Sequence, residues 1–210
     1  MSWQTSIQEY TKSEMMDRGN DPSHDYAHAC NVLDTCNRIS VIEGGDMEVL
    51  MPAALLHDVV IYPKNHPNSD NAPYESAKLA RVVLEKQPDY PQKKIEAVTD
   101  CIELCSFNKQ DRPATIEIAI LRDADRLAAT GAIAIMRTFA SSGQMNRPLY
   151  DLEDPFAVAR ETDAKKYALD LFYERLLLAR DRMYTQTARD LAQERTEFLY
   201  SFIKQLRTEL

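Results

Sequence analysis

The stretch MEVLMPAALLHDVVIY, residues 47–62, decides the fold. Almost every position is apolar, so a helix built from it has no polar face to give to water and must be buried. Asp46 can cap its start and Pro63 ends it. His57 and Asp58 stand side by side inside this apolar run. A buried Asp is rare unless it is paired or binds a metal. Neighbours on a helix point about 100° apart, so both side chains can still converge on one ion in a shared pocket. The other reading is a core pair in which the imidazole hydrogen-bonds the carboxylate, and the two residues alone leave both open.

Outward from this stretch the hydrophobic pattern stays helical. Helices are expected over 3–18, 24–43, about 73–87, 91–107, 114–129 and 131–141, with two long amphipathic helices, about 163–181 and 184–208, closing the chain. Ser23 is the expected cap of the second helix and Gly44-Gly45 its stop, and Pro91 suits a first turn. Residues 142–162 read as irregular, with Gly143, Pro148 and Pro155. Only 5 of 210 residues are glycine, well below the usual level of about 7%. That scarcity argues against a hairpin-rich β-protein and against a Gly-rich nucleotide loop. The class is all-α. One domain over 1–210 is expected, with a core of about 20–140 and a C-terminal helical extension of about 142–210.

The net charge of −8 makes a nucleic-acid polymer or an anionic membrane a poor partner. The first sixteen residues show no basic run followed by an apolar one, and no stretch approaches the ~18 apolar residues of a membrane span. The four cysteines, 30, 36, 101 and 105, form no Cys-x-x-Cys pair and read as buried reduced thiols. A cytoplasmic protein is the expectation. Its two C-terminal helices leave open whether they pack internally or across a homodimer.

The four histidines, 24, 28, 57 and 66, all lie in the first third, and residues 67–210 contain none. His24 and His28 are four apart, on one helical face, a spacing that can chelate a metal but also suits a solvated or core pair. The segment LRDADRLAATG, 121–131, puts Asp123 and Asp125 into an apolar helix. Two residues apart, they face different sides and do not share one role. Three separate helices thus carry an imidazole or a carboxylate in apolar surroundings. Two imidazoles and two carboxylates would make a mixed nitrogen–oxygen site suited to Mn, Fe, Co, Ni or Zn, of the kind helical bundles build from facing side chains.

The order His … His-Asp … Asp resembles the signature of the HD-domain superfamily of metal-dependent phosphohydrolases. The likeness is longer than that signature and extends to the bacterial YedJ-type branch. It is carried by SHDYAHACNV (23–32), AALLHDVV (53–60), KNHP (64–67), KIEAV (94–98), CSF (105–107), DADRLAATGAIAIMRTF (123–139), EDPFA (153–157), KKYALDLF (165–172) and MYTQTARDLAQ (183–193). The resemblance implies an HD-type helical bundle and a divalent metal ion (Mn, Fe, Co, Ni, Zn or Mg) held by His28, His57, Asp58 and Asp125. Asp58 would also steer or take a proton from the attacking water. His24 would be a neighbour of the site, and Asp123 a supporting or helix-start residue. The implied activity is hydrolysis of a phosphoester or phosphoanhydride of a small nucleotide-like substrate.

Such a substrate needs cations in an acidic protein. Lys64 and His66 follow the His-Asp pair closely, and Arg137, in the apolar run AIAIMRTFA, wants an anionic partner. Tyr62 and Tyr167 could line a pocket for a base, although aromatic residues at such positions are usually core. The chain departs from the family at Asn31, where Arg is usual, at Cys105, where close relatives have His, and at Ala128, where an acid often follows. These departures motivate a second reading, a non-catalytic metal- and nucleotide-binding sensor. A di-iron oxidative enzyme is a third, and it would need additional ligands.

Overall fold

The computed structural model describes residues 2–16, 25–62, 66–105 and 112–210. No β-strand occurs among them; the α-helices are α1 (Trp3–Met16), α2 (Tyr26–Glu43), α3 (Met47–Leu56), α4 (Ala72–Glu85), α5 (Ile95–Leu104), α6 (Ile116–Leu127), α7 (Gly131–Gln144) and α8 (Gln186–Leu206). The chain divides into two compact units, 1–125 and 126–210.

In the first unit α3 is the hub, packing against α1, α2, α4 and α5. Its buried residues include Leu50, Ala53, Ala54, Leu55 and Leu56, as its uniformly apolar composition requires. Asp46 caps it, accepting a hydrogen bond from the Glu48 N–H (2.9 Å). The stop before it is made by Gly44 and Gly45, with φ of 84° and 113°, a region that L side chains rarely enter. Gly45 is also sterically required, since a Cβ there would lie 2.9 Å from Ile120 Cδ1.

Pro52 lies inside α3 and cannot donate to the Glu48 carbonyl one turn earlier. The hydroxyl of Tyr90 takes over that role, donating to Glu48 O at 2.9 Å. Tyr90 is buried, and burial is the chief cause of its raised phenol pKa, with Asp46 and Glu48 adding to it. Tyr90→Phe should therefore cost about 1–2 kcal/mol in urea unfolding, the price of a stranded carbonyl. In a Pro52→Ala background the cost should shrink, because a helical N–H again serves that oxygen; equal costs in both backgrounds would disprove the link.

Two expectations change in this unit. Helix α3 ends at Leu56 rather than running to 62, so His57 and Asp58 sit in the turn that follows it. Val59, Val60 and Ile61 are β-branched and weak helix formers. The backbone of Val60 is instead captured by Ser76 of α4, whose hydroxyl accepts from Val60 N–H (3.0 Å) and donates to Val60 O (3.3 Å). The cap of α2 is Asp25, which accepts from the His28 N–H (2.9 Å); Ser23 lies outside the described residues.

The second unit has its core where α7 and α8 meet residues 169–176, around Ala134, Leu169, Phe172, Leu176, Leu199 and Ile203. Helix α8 matches the expected 184–208, but the expected helix over 163–181 is broken. Asp163 accepts from the backbone N–H groups of Lys165 and Lys166 (3.0 and 3.1 Å). Ala168 and Leu169 donate to Pro148 and Leu149 carbonyls (2.9 and 2.8 Å). Buried Asp170 is held by both terminal nitrogens of Arg160 (2.5 and 2.9 Å). These bonds outcompete the helical ladder, leaving a short π-helical stretch, Phe172–Leu176, closed by Leu177 N–H to Phe172 O (2.9 Å).

Candidate metal centre

His28 lies in the first turn of α2, and the Asp25 cap binds its own backbone N–H, so the cap fixes the turn that carries the imidazole. His57 follows the last residue of α3 and keeps helical φ and ψ. Its Nδ1 lies 2.8 Å from the carbonyl of Ala54. A carbonyl only accepts, so Nδ1 is the donor and Nε2 is the nitrogen turned to the site. Asp58 is the next residue, and α6 brings in Asp125.

These groups from three regions of the chain converge. Asp125 Oδ1 is 3.4 Å from His28 Nε2 and 4.0 Å from His57 Nε2, and Asp58 Oδ2 is 3.7 and 3.4 Å from the same two nitrogens. His28, His57 and Asp125 each offer a ligand atom within 4.8 Å of the others, a cluster that could hold a metal ion. Buried His57 Nε2 makes no hydrogen bond, yet carboxylate oxygens face it. In the neutral ring that nitrogen presents a lone pair to anions. The arrangement calls for a positive charge between them, which a proton or a metal ion supplies. Tetrahedral ligands at about 2.1 Å from an ion stand roughly 3.4 Å apart, which the observed separations fit.

The side chains of His28 and His57 are 3% and 1% exposed, those of Asp58 and Asp125 28% and 23%. The imidazoles form the floor and the carboxylates face outward. Burial opposes charge on His57, but Asp58 above all, with Asp125 and Ala54 O, raises its pKa to about 9. Burial likewise opposes charge on Asp125, yet the His28 hydrogen bond and the two imidazoles hold it at about 2.

Without metal, the His57 contribution to stability is fully present below its unfolded value, ~6.5, and is lost as pH rises through about 9. The Asp125 contribution is present above its unfolded value of ~3.9 and is lost as pH falls towards about 2. A metal ion must displace the His57 proton. Metal affinity should therefore rise up to about tenfold per pH unit below that value and then level off. Calorimetric Mn titrations across this range check it, and a flat profile would contradict the His57 assignment.

The other predicted residues are placed less uniformly. Asp123 is wholly buried in α6 and is not part of the cluster among the described residues. His24 and Lys64 lie outside the described residues. His66 is half-buried and stacks on Tyr62. Arg137, in the second unit, is half-buried, and its Nη1 donates to the neutral Ala128 carbonyl (3.3 Å) where the sequence had called for an anionic partner. The sequence reading missed Ala54 O, Asp25 and Ser76, which orient the two imidazoles and the turn. Of these only Asp25 had a signal, an Asp directly ahead of a helix.

Two imidazoles and two carboxylates thus gather on one patch of an all-helical unit, an arrangement that could hold a metal ion. The chain belongs to the HD domain family, whose pattern matches residues 25–130. An uncharacterized protein of Bacillus subtilis, YpgQ, is 31% identical over 193 residues, covering 89% of this chain and 84% of that one. The crystal structure of YpgQ in complex with ADP superposes with a TM-score of 0.75 at 28% identity, covering 99% of this chain and 95% of the other. An HD-superfamily hydrolase from Bacillus thuringiensis gives a TM-score of 0.73 at 28% identity, covering 98% and 95%. Among the described residues no helix is long and apolar enough to cross a membrane.

Proposed function

We propose that the protein is a metal-dependent phosphohydrolase that cleaves a phosphoester or phosphoanhydride of a small nucleotide-like substrate. The observation that carries the reading is His57 Nε2, buried and without a hydrogen bond, facing the carboxylates of Asp58 and Asp125. His28, His57, Asp58 and Asp125 would hold one divalent ion. When bound, such an ion supplies an acidified water and neutralises charge on a phosphoryl group. Ala54 O keeps Nε2 of His57 turned to the carboxylates, where it would meet the ion. Asp58, the more exposed carboxylate, accepts the proton of the water that attacks phosphorus. Lys64, soon after Asp58 in the chain, holds substrate oxygens, and His66, two residues on, contacts the substrate. The ADP bound by YpgQ supports a nucleotide-like ligand here.

Metal analysis of the purified protein, followed by phosphate and pyrophosphate release from a panel of nucleotides with added Mn, tests this. Steady turnover that tracks metal content is expected. Nucleotide binding without turnover would favour the sensor reading instead.

A further inference from the structure

Segment 59–62 leads from the His57-Asp58 turn to an aromatic pair that the metal centre does not use. The rings of Tyr62 and His66 stack with centroids 4.7 Å apart and planes 9° from parallel. The pair is held from both sides. Tyr62 donates its hydroxyl hydrogen to Glu75 Oε2 in the first turn of α4 (2.7 Å). His66 Nδ1 accepts from the Asn68 N–H (3.1 Å). With Nδ1 accepting, the remaining proton of the neutral imidazole is on Nε2, which has no partner among the described residues. Both rings are half-buried. The Ser76–Val60 hydrogen bonds fix the same segment to α4, one residue beyond Glu75.

A structural stack would need neither a fixed tautomer nor a ring left open to solvent. Asp58 and Tyr62 are four residues apart, so their Cα atoms are separated by at most about 14 Å. That is comparable with the reach of a nucleoside diphosphate from its outer phosphate to its base. Nucleobases stack on aromatic side chains and gain affinity without regard to sequence, and an Nε2–H is a donor for a ring nitrogen or carbonyl of a base.

We propose that the Tyr62–His66 stack is a nucleobase subsite, positioned by Glu75, for a nucleotide whose phosphates lie at the His57-Asp58 centre. This rests on the phosphohydrolase reading, deepening it to a nucleoside phosphate rather than a base-free phosphate. Tyr62 and His66 touch the base, while Glu75 is a positioning residue that acts through Tyr62.

The test compares two non-hydrolysable ligands with one head group, adenosine 5′-methylenediphosphonate and methylenediphosphonate itself, on the Mn-loaded protein. Calorimetry on wild type should show tighter binding of the nucleoside form. Tyr62→Leu and His66→Ala should weaken it by about tenfold and leave the base-free ligand and the Mn stoichiometry unchanged. Tyr62→Phe keeps the ring but loses Glu75, so it should bind the nucleoside form more weakly than wild type and more tightly than Tyr62→Leu. Long-range proton–nitrogen NMR of the His66 ring should show the Nε2–H form in wild type. Equal losses on both ligands, or no loss on the nucleoside form, would overturn the subsite while leaving the phosphohydrolase reading standing. If neither ligand binds the Mn-loaded wild type, both fall together.

Discussion

Asp58→Ala is expected to lose bound metal and hydrolysis together while the protein stays folded. The Asp58 side chain is 28% exposed, so its removal empties no core space. What it removes is the carboxylate 3.4 Å from His57 Nε2 and 3.7 Å from His28 Nε2. It is also the leading influence that raises the His57 pKa. Loss of residues merely supporting metal ligands costs about 10–100-fold in affinity, so loss of a ligand should exceed that. Dialysis followed by elemental analysis, circular dichroism and phosphate release give the three readouts. Normal hydrolysis by Asp58→Ala would show that the centre has been assigned to the wrong residues.

The two aspartates of α6 should separate cleanly. Asp125→Ala should release the metal, and the metal-free protein should lose the pH-dependent stability that this carboxylate supplies beside the imidazoles. Asp125 Oδ1 lies between the two imidazoles, and its side chain is 23% exposed. Asp123→Ala should keep the metal and lose stability at every pH. That side chain is wholly buried and partnered, so truncation strands a buried polar group, a cost of about 1–3 kcal/mol, while the ligand cluster stays intact. Denaturant unfolding and metal content measured on both variants decide it. A metal-free but fully stable Asp123→Ala would reverse the two roles.

What was legible in the chain was what depends on near neighbours. The burial of α3, its Asp46 cap and the Gly44-Gly45 stop follow from composition and from turn chemistry within a few residues. The end of α3 did not, because Ser76, which captures Val60, is sixteen residues away. The same holds for the region 163–181, whose helical pattern yields to hydrogen bonds accepted by the carboxylates of Asp163 and Asp170 and by the carbonyls of Pro148 and Leu149. At the site, spacing alone left His57-Asp58 open between a core pair and ligands. The likeness to the HD family joined them to His28 and Asp125, and the fold brings these four within 4.0 Å of one another in imidazole–carboxylate pairs. Tyr62 and Glu75, thirteen residues apart, carried no local signal of their hydrogen bond.

The proposed function places phosphoryl hydrolysis at one metal-holding cluster. Its most direct test titrates Mn into metal-stripped protein and follows phosphate or pyrophosphate release from nucleotides at each step. Turnover should rise in proportion to bound metal, saturate when the cluster is filled, and be absent at every metal concentration in His57→Ala. Turnover that persists in the stripped protein, or that His57→Ala retains, would contradict it.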